Sequence, residues 1–171
     1  MRLTPLIALA GLAFAAATPA SALTVEAKFS PEFQHKLEVD YGVREADYLK
    51  AALTEKIQGV FTARGVMADH VVVTLEDAVP NRPTLQQVSD KPGLDMMRSI
   101  SIGGAHLTGI AYDSSGKEIG SLDYNWYETD IRNATTATTW TDARWSIDRF
   151  ARRFADKLRT APSEGAKVRF Q

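Results

Sequence analysis

The chain has 171 residues, of which 44% are hydrophobic and 24% charged, a balance ordinary for a globular domain. Cysteine is absent, which excludes disulfides, thiolate nucleophiles, Cys-ligated zinc and lipid attachment at an N-terminal Cys. Lys and Arg number 20 against 21 Asp and Glu, so there is no basic excess to recruit nucleic acid.

The N-terminus carries one positive residue, Arg2, then an apolar stretch from Leu6 to Ala17, then Thr18-Pro19-Ala20-Ser21-Ala22. Charged start, short apolar middle and small-residue exit are the order of a secretory signal, with cleavage predicted after Ala22. The apolar stretch is shorter than the ~20 residues a spanning helix needs, which argues against a retained anchor. Periplasmic or secreted localisation is therefore expected. Removing the leader takes away one basic and no acidic residue and leaves 149 residues with a net charge of −2. A chain of that length buries roughly 68 to 70% of its unfolded surface, enough for one core without disulfides. Residues 23–160 are expected to form one domain, with 161–171 as a tail.

After Leu23, the apolar residues Val25, Ala27 and Phe29 alternate with Thr24, Glu26 and Lys28, the period of a half-buried strand. Beyond Ser30-Pro31, the alternation of Phe33, His35, Leu37, Val39 and Tyr41 predicts a second strand before Gly42. From about Arg44 to Arg64 the period becomes helical, with Leu49, Leu53, Ile57, Val60 and Phe61 on one stripe and Gly65 placed to end it. The β-branched run Val71-Val72-Val73-Thr74-Leu75 predicts a central strand. Residues 80–98, with Pro80, Pro83, Pro92 and Gly93, read as a long surface loop of the kind that often carries function. A hairpin follows: strands over 104–112 and 118–128, joined by Asp113-Ser114-Ser115-Gly116-Lys117. A Thr-rich connection then leads to a helix over about Trp140 to Arg159, with Thr139 or Thr141 as cap. Its stripe is Ala143, Ile147, Phe150, Ala151, Phe154 and Leu158. The order predicts an α+β fold: a mixed or antiparallel sheet of about four to five strands with two amphipathic helices on one face.

The C-terminal half contains Asn81-Arg82-Pro83-Thr84, Gly103-Gly104 with Tyr112-Asp113, Gly116-Lys117-Glu118-Ile119-Gly120 and Trp126-Tyr127-Glu128-Thr129-Asp130-Ile131, followed by Thr139-Trp140-Thr141-Asp142-Ala143 and Phe150-Ala151-Arg152-Arg153. In these segments the chain resembles a group of small, largely uncharacterised bacterial envelope proteins, some of them lipoproteins. The resemblance implies a periplasmic α+β domain and carries no catalytic residue with it. The missing acylated cysteine sets this chain apart from the lipoprotein members.

Motifs for chemistry are sparse. Ser114-Ser115-Gly116-Lys117 fits S-x-x-K formally, but it falls at a hairpin tip and no S-D-N or K-T-G accompanies it. His35, His70 and His106 lack the close spacing of zinc ligands, the segment near Asp113 departs from a calcium loop, and no cofactor or metal is implied. Gly103-Gly104 and Gly109 run into a strand instead of a helix N-terminus, so close backbone packing explains them better than a phosphate cradle. Glu76, Asp77, Asp123, Glu128 and Asp130 are the carboxylates that neighbouring strands can bring together.

The most distinctive surface is on the last helix, where Arg149, Arg152 and Arg153 lie off the apolar stripe with Trp145 among them. An exposed Trp beside arginines is the composition of an interface hot spot; the alternative is a solvated face, with Asp148 and Arg152 paired at i,i+4 and Asp156 near Arg152 and Arg153. The leading expectation is a non-catalytic periplasmic binding or accessory domain. It presents Trp145, Arg149, Arg152, Arg153 and, from the 80–98 loop, Arg82 to an envelope protein or an anionic envelope polymer. The alternatives are a carboxylate-dependent hydrolase using His106 beside the hairpin, and a self-associating structural protein.

Overall fold

The computed structural model describes residues 23–160; the expected leader and the C-terminal tail lie outside the described residues. The fold is α+β, built on one mixed sheet of four strands in the order β1-β2-β3-β4. Strand β1, Thr24–Phe29, pairs parallel with β2, His70–Val79. Strand β3, Gly104–Tyr112, pairs antiparallel with both β2 and β4, Glu118–Tyr127. A parallel pair needs a crossover connection, supplied by α1, Pro31–Lys36, and α2, Val43–Arg64.

The predicted second strand is instead helical: α1 runs directly into a π-helical turn, Leu37–Tyr41. The reason lies in a coincidence of periods, since positions alternating by two include those separated by four. Phe33, Leu37 and Tyr41 are buried, whereas Val39 between them is 57% exposed. Only every second member of the alternation faces inward, which is helical spacing. Ser30-Pro31-Glu32 is also a helix start: Ser30 Oγ accepts the N–H of Phe33 at 3.1 Å, Pro31 fills the first turn and Glu32 favours the positive helix end.

Helix α2 ends at Gly65, whose φ of 62° and N–H contacts to the preceding carbonyls form a left-handed cap. The 80–98 segment contains a short helix, α3, Leu85–Asp90, where a continuous loop was expected. Thr84 and Gln87 close a capping box there, a Thr-x-x-Gln signal that the prolines on both sides obscured. The hairpin forms as predicted, with Asp113 Oδ1 accepting the N–H groups of Ser115 and Lys117. A 3-10 turn, Ile131–Thr136, precedes the last helix, α4, Thr141–Thr160.

Helices α2 and α4 cover the same face of the sheet. Leu49, Leu53, Ile57 and Phe61 from α2 and Ile147, Phe150 and Phe154 from α4 close over Val71, Val73, Leu75 and Leu107. Gly109 is the seat of α4, because a Cβ there would lie 2.6 Å from Phe150 Cζ and 3.0 Å from Phe154 Cε1. Both rings are fully buried, so neither can move aside cheaply. Gly109→Ala is expected to destabilise the protein by about 1 to 3 kcal/mol through overpacking, read as a lower urea midpoint at unchanged slope.

Candidate functional site

One end of the sheet is organised by a buried amide and carboxylate. Asn81, just beyond β2, donates from Nδ2 to Asp142 Oδ2 at 2.5 Å, and its Oδ1 accepts the N–H of Asp142 at 2.9 Å, near the α4 N-terminus. Asp142 Oδ2 also accepts the N–H of Gly103 at 3.2 Å. A Cβ on Gly103 would meet the Asn81 amide at 2.7 Å, and one on Gly104 would meet Tyr127 at 2.5 Å. The two glycines therefore serve close packing, as their place at a strand start suggested. Arg82 belongs to the same scaffold: its guanidinium donates to the carbonyls of Ala137 at 3.0 Å, Thr135 at 2.7 Å and Met97. The side chain is thus engaged internally and stitches the 91–102 segment to the turn before α4. That segment leaves Met97 80% exposed.

The outer surface of α4 divides into two sides. Trp145 is 53% exposed. With Lys56, Thr141, Arg144, Asp148 and Arg149 it lines a depression of about 590 Å³. A second groove of about 550 Å³ lies between α2 and α4, lined by Tyr48, Ala51, Ala52, Glu55 and Gly59, and it shares Lys56 and Arg144 with the first. On the α2 side Asp148 receives Arg152 Nε at 2.8 Å and Lys56 Nζ at 3.0 Å. The Arg152 hydrogen bond, then the Lys56 hydrogen bond and charge, hold the Asp148 carboxyl below the usual carboxylate range against a smaller effect of burial. Asp156 pairs with Arg64. On the β4 side, Arg149 stacks over the Trp126 ring at 4.2 Å, Arg153 lies over the Tyr124 ring at 4.9 Å, and Lys157 donates to the Ser121 carbonyl at 2.5 Å.

The structure therefore brings Trp145 and Arg149 to one depression and aligns Arg153 with them. It turns Arg152 toward Asp148 and places Arg82 in the scaffold at the sheet end. Arg144, Lys56 and Lys157 also belong to this surface and were not singled out by sequence. Lys157 continues the four-residue spacing of Trp145, Arg149 and Arg153, a signal that was present.

The five carboxylates separate onto different partners. Glu76 accepts Thr108 Oγ1 at 2.6 Å, and Asp77 accepts Lys36 Nζ at 2.8 Å and the Tyr127 hydroxyl at 3.2 Å. Asp123 meets His106 Nε2 at 2.9 Å on the helix-free face. Glu128 caps the N–H groups of Thr129 and Asp130, while Asp130 binds Arg132. His70 stacks on Tyr112, and His35 lies in the last turn of α1. Among the described residues no group of three His, Asp or Glu is placed to hold a metal, and no helix is long and apolar enough to cross a membrane. Compared with known proteins, the chain matches no family model and no curated protein.

Asp77 anchors a phenol cluster beneath this end of the sheet. Burial, then the charges of Asp77 and Asp40, push the Tyr41 hydroxyl up to about 12, and burial followed by Asp77 raises Tyr127 as well. A phenol whose folded pKa exceeds its unfolded value of about 10 stabilises the fold fully below that value, and the contribution is lost as pH climbs to the folded pKa. The alkaline limb of stability is expected to begin near the ordinary tyrosine range and to flatten in Tyr41→Phe. Urea unfolding of both proteins across that range checks it.

Proposed function

We propose that this chain is an exported binding or accessory domain of the bacterial envelope. In this reading it works outside the cytoplasm after loss of residues 1–22 and presents the outer side of α4 to an envelope protein or an anionic envelope polymer. The observation that carries the reading is Trp145, half-exposed on a rigid helix and flanked by Arg144 and Arg149 at a shared depression. A large indole held by backbone packing loses little entropy on contact, and adjacent guanidiniums supply both charge and a flat stacking surface. The signal-like N-terminus supports the compartment.

Site-directed photocrosslinking in cells tests it. A photoreactive residue at position 145 is expected to yield a higher-mass adduct, discrete for a protein partner and smeared for a polymer. The same residue in place of Lys28, on the opposite sheet edge, is expected to yield none. The mature protein should begin at Leu23. Absence of adducts from position 145, or an abundant cytoplasmic form retaining Met1, would refute the reading.

A further inference from the structure

The cations on the β4 side of α4 form a ladder in register with the strand beside them. Arg149, Arg153 and Lys157 are four residues apart, which on a helix is a rise of about 6 Å per step. They sit at Trp126, Tyr124 and the Ser121 carbonyl in turn, so the first helical step spans two residues of β4, about 6.8 Å, and the long Lys157 side chain reaches one residue further along the strand. Of the three acidic residues of the helix, Asp142 is buried against Asn81, and Asp148 and Asp156 pair on the other side with Lys56, Arg152 and Arg64.

Strand β4 is a sheet edge. The pairing with β3 is unbroken from Gly104–Tyr127 to Ala111–Gly120, and the Glu128 N–H donates to Gly103 O at 2.9 Å in continuation of the same register. Hydrogen-bonded pairs alternate along an antiparallel ladder, so residues 122, 124, 126 and 128 bond to β3. Residues 121, 123, 125 and 127 turn their N–H and C=O groups outward. The Lys157 contact to Ser121 O fits this parity.

We propose that the β4 edge and the Arg149, Arg153, Lys157 ladder together form a docking site for an extended acidic segment of a partner protein, which adds to the sheet as a fifth strand. Main-chain bonds to residues 123, 125 and 127 supply the pairing. Carboxylates at alternate positions of the segment point to the helix side and meet the ladder. On the other face Asp123, 70% exposed on its side chain, repels acidic residues and restricts them to one set of alternate positions. The proposal rests on the binding reading above and specifies the partner's chemistry.

The probe is a short synthetic peptide alternating Glu and Thr, titrated calorimetrically into the full chain and followed by amide hydrogen exchange. It is expected to bind, to weaken with salt, and to slow exchange at the N–H groups of Asp123, Asn125 and Tyr127. Arg149→Glu with Arg153→Glu should weaken it about tenfold or more. Two further peptides act on the wild-type protein, so misfolding of the variant cannot decide the result: one with its Glu residues contiguous, one N-methylated at alternate amides. Both should bind at least about tenfold more weakly. Equal binding of either, or binding without slowed exchange, overturns strand addition and leaves a polyanion strip. No binding by either the full chain or a chain ending at Thr160 also overturns it, leaving the ladder as a cover that shields the edge. Binding only by the shortened chain overturns the partner and makes residues 161–171 the occupant. Adducts from position 145 together with an indifferent edge would remove strand addition alone and leave the binding reading standing.

Discussion

The mutual hydrogen bonding of Asn81 and Asp142 fixes the position of α4, and the surface features depend on that position. An amide following β2 supplies an acceptor to the first turn of a helix 61 residues later, while its NH₂ satisfies the helix's own carboxylate. The same carboxylate binds the Gly103 N–H at the threshold of β3. Three elements are thereby joined at one buried point, where leaving any of these groups unpaired costs about 1 to 3 kcal/mol. At the other contact Phe150 and Phe154 rest on Gly109. With its start and its middle both held, the helix has no freedom to rotate, and Trp145, Arg149 and Arg153 are presented in one fixed orientation.

That orientation sorts the charges of α4 by what lies beneath them. Toward α2 the neighbouring surface bears Lys56 and Arg64, and the helix answers with Asp148 and Asp156. Toward β4 the neighbouring surface is aromatic, and the helix answers with guanidiniums whose stems and planes lie over Trp126 and Tyr124. Among the described residues no carboxylate pairs with Arg149 or Arg153, so these cations are stabilised in place with their charge available to a partner.

The parts of the fold legible in sequence are those written in local periodicity. The stripes of α2 and α4, the β2 run and the Asp-Gly hairpin all depend on residues within a few positions of one another, and each appears where its pattern placed it. The stretch from Phe33 to Tyr41 misled because residues spaced by four also satisfy alternation by two; the Ser30-Pro31-Glu32 start signal was the feature to weigh. The site was legible only in part. Trp145 and the arginines are visible as residues off the apolar stripe, and the Asp148–Arg152 pair follows from i,i+4 spacing, but the seating of Arg149 and Arg153 on the β4 aromatics depends on contacts between helix and strand. The carbonyl partners of half-buried Arg82, those of Ala137 and Thr135, lie more than fifty positions away, and no local pattern announces them. Asn81, Gly103 and Asp142 carry no local signal of meeting, because their contacts span 39 and 61 positions of sequence.

The seat at Gly109 has a consequence for the order in which the chain acquires its tertiary structure. Helix α4 is the last described element, and its two phenylalanines are the lid of the hydrophobic interior. During synthesis the hairpin emerges with its notch bare, and the enclosing rings leave the ribosome only afterwards. Any nascent fragment shorter than Phe154 thus exposes greasy surface around a backbone notch, so the polypeptide commits to its compact form late. Such delayed closure keeps an elongating chain pliable until α4 has been made.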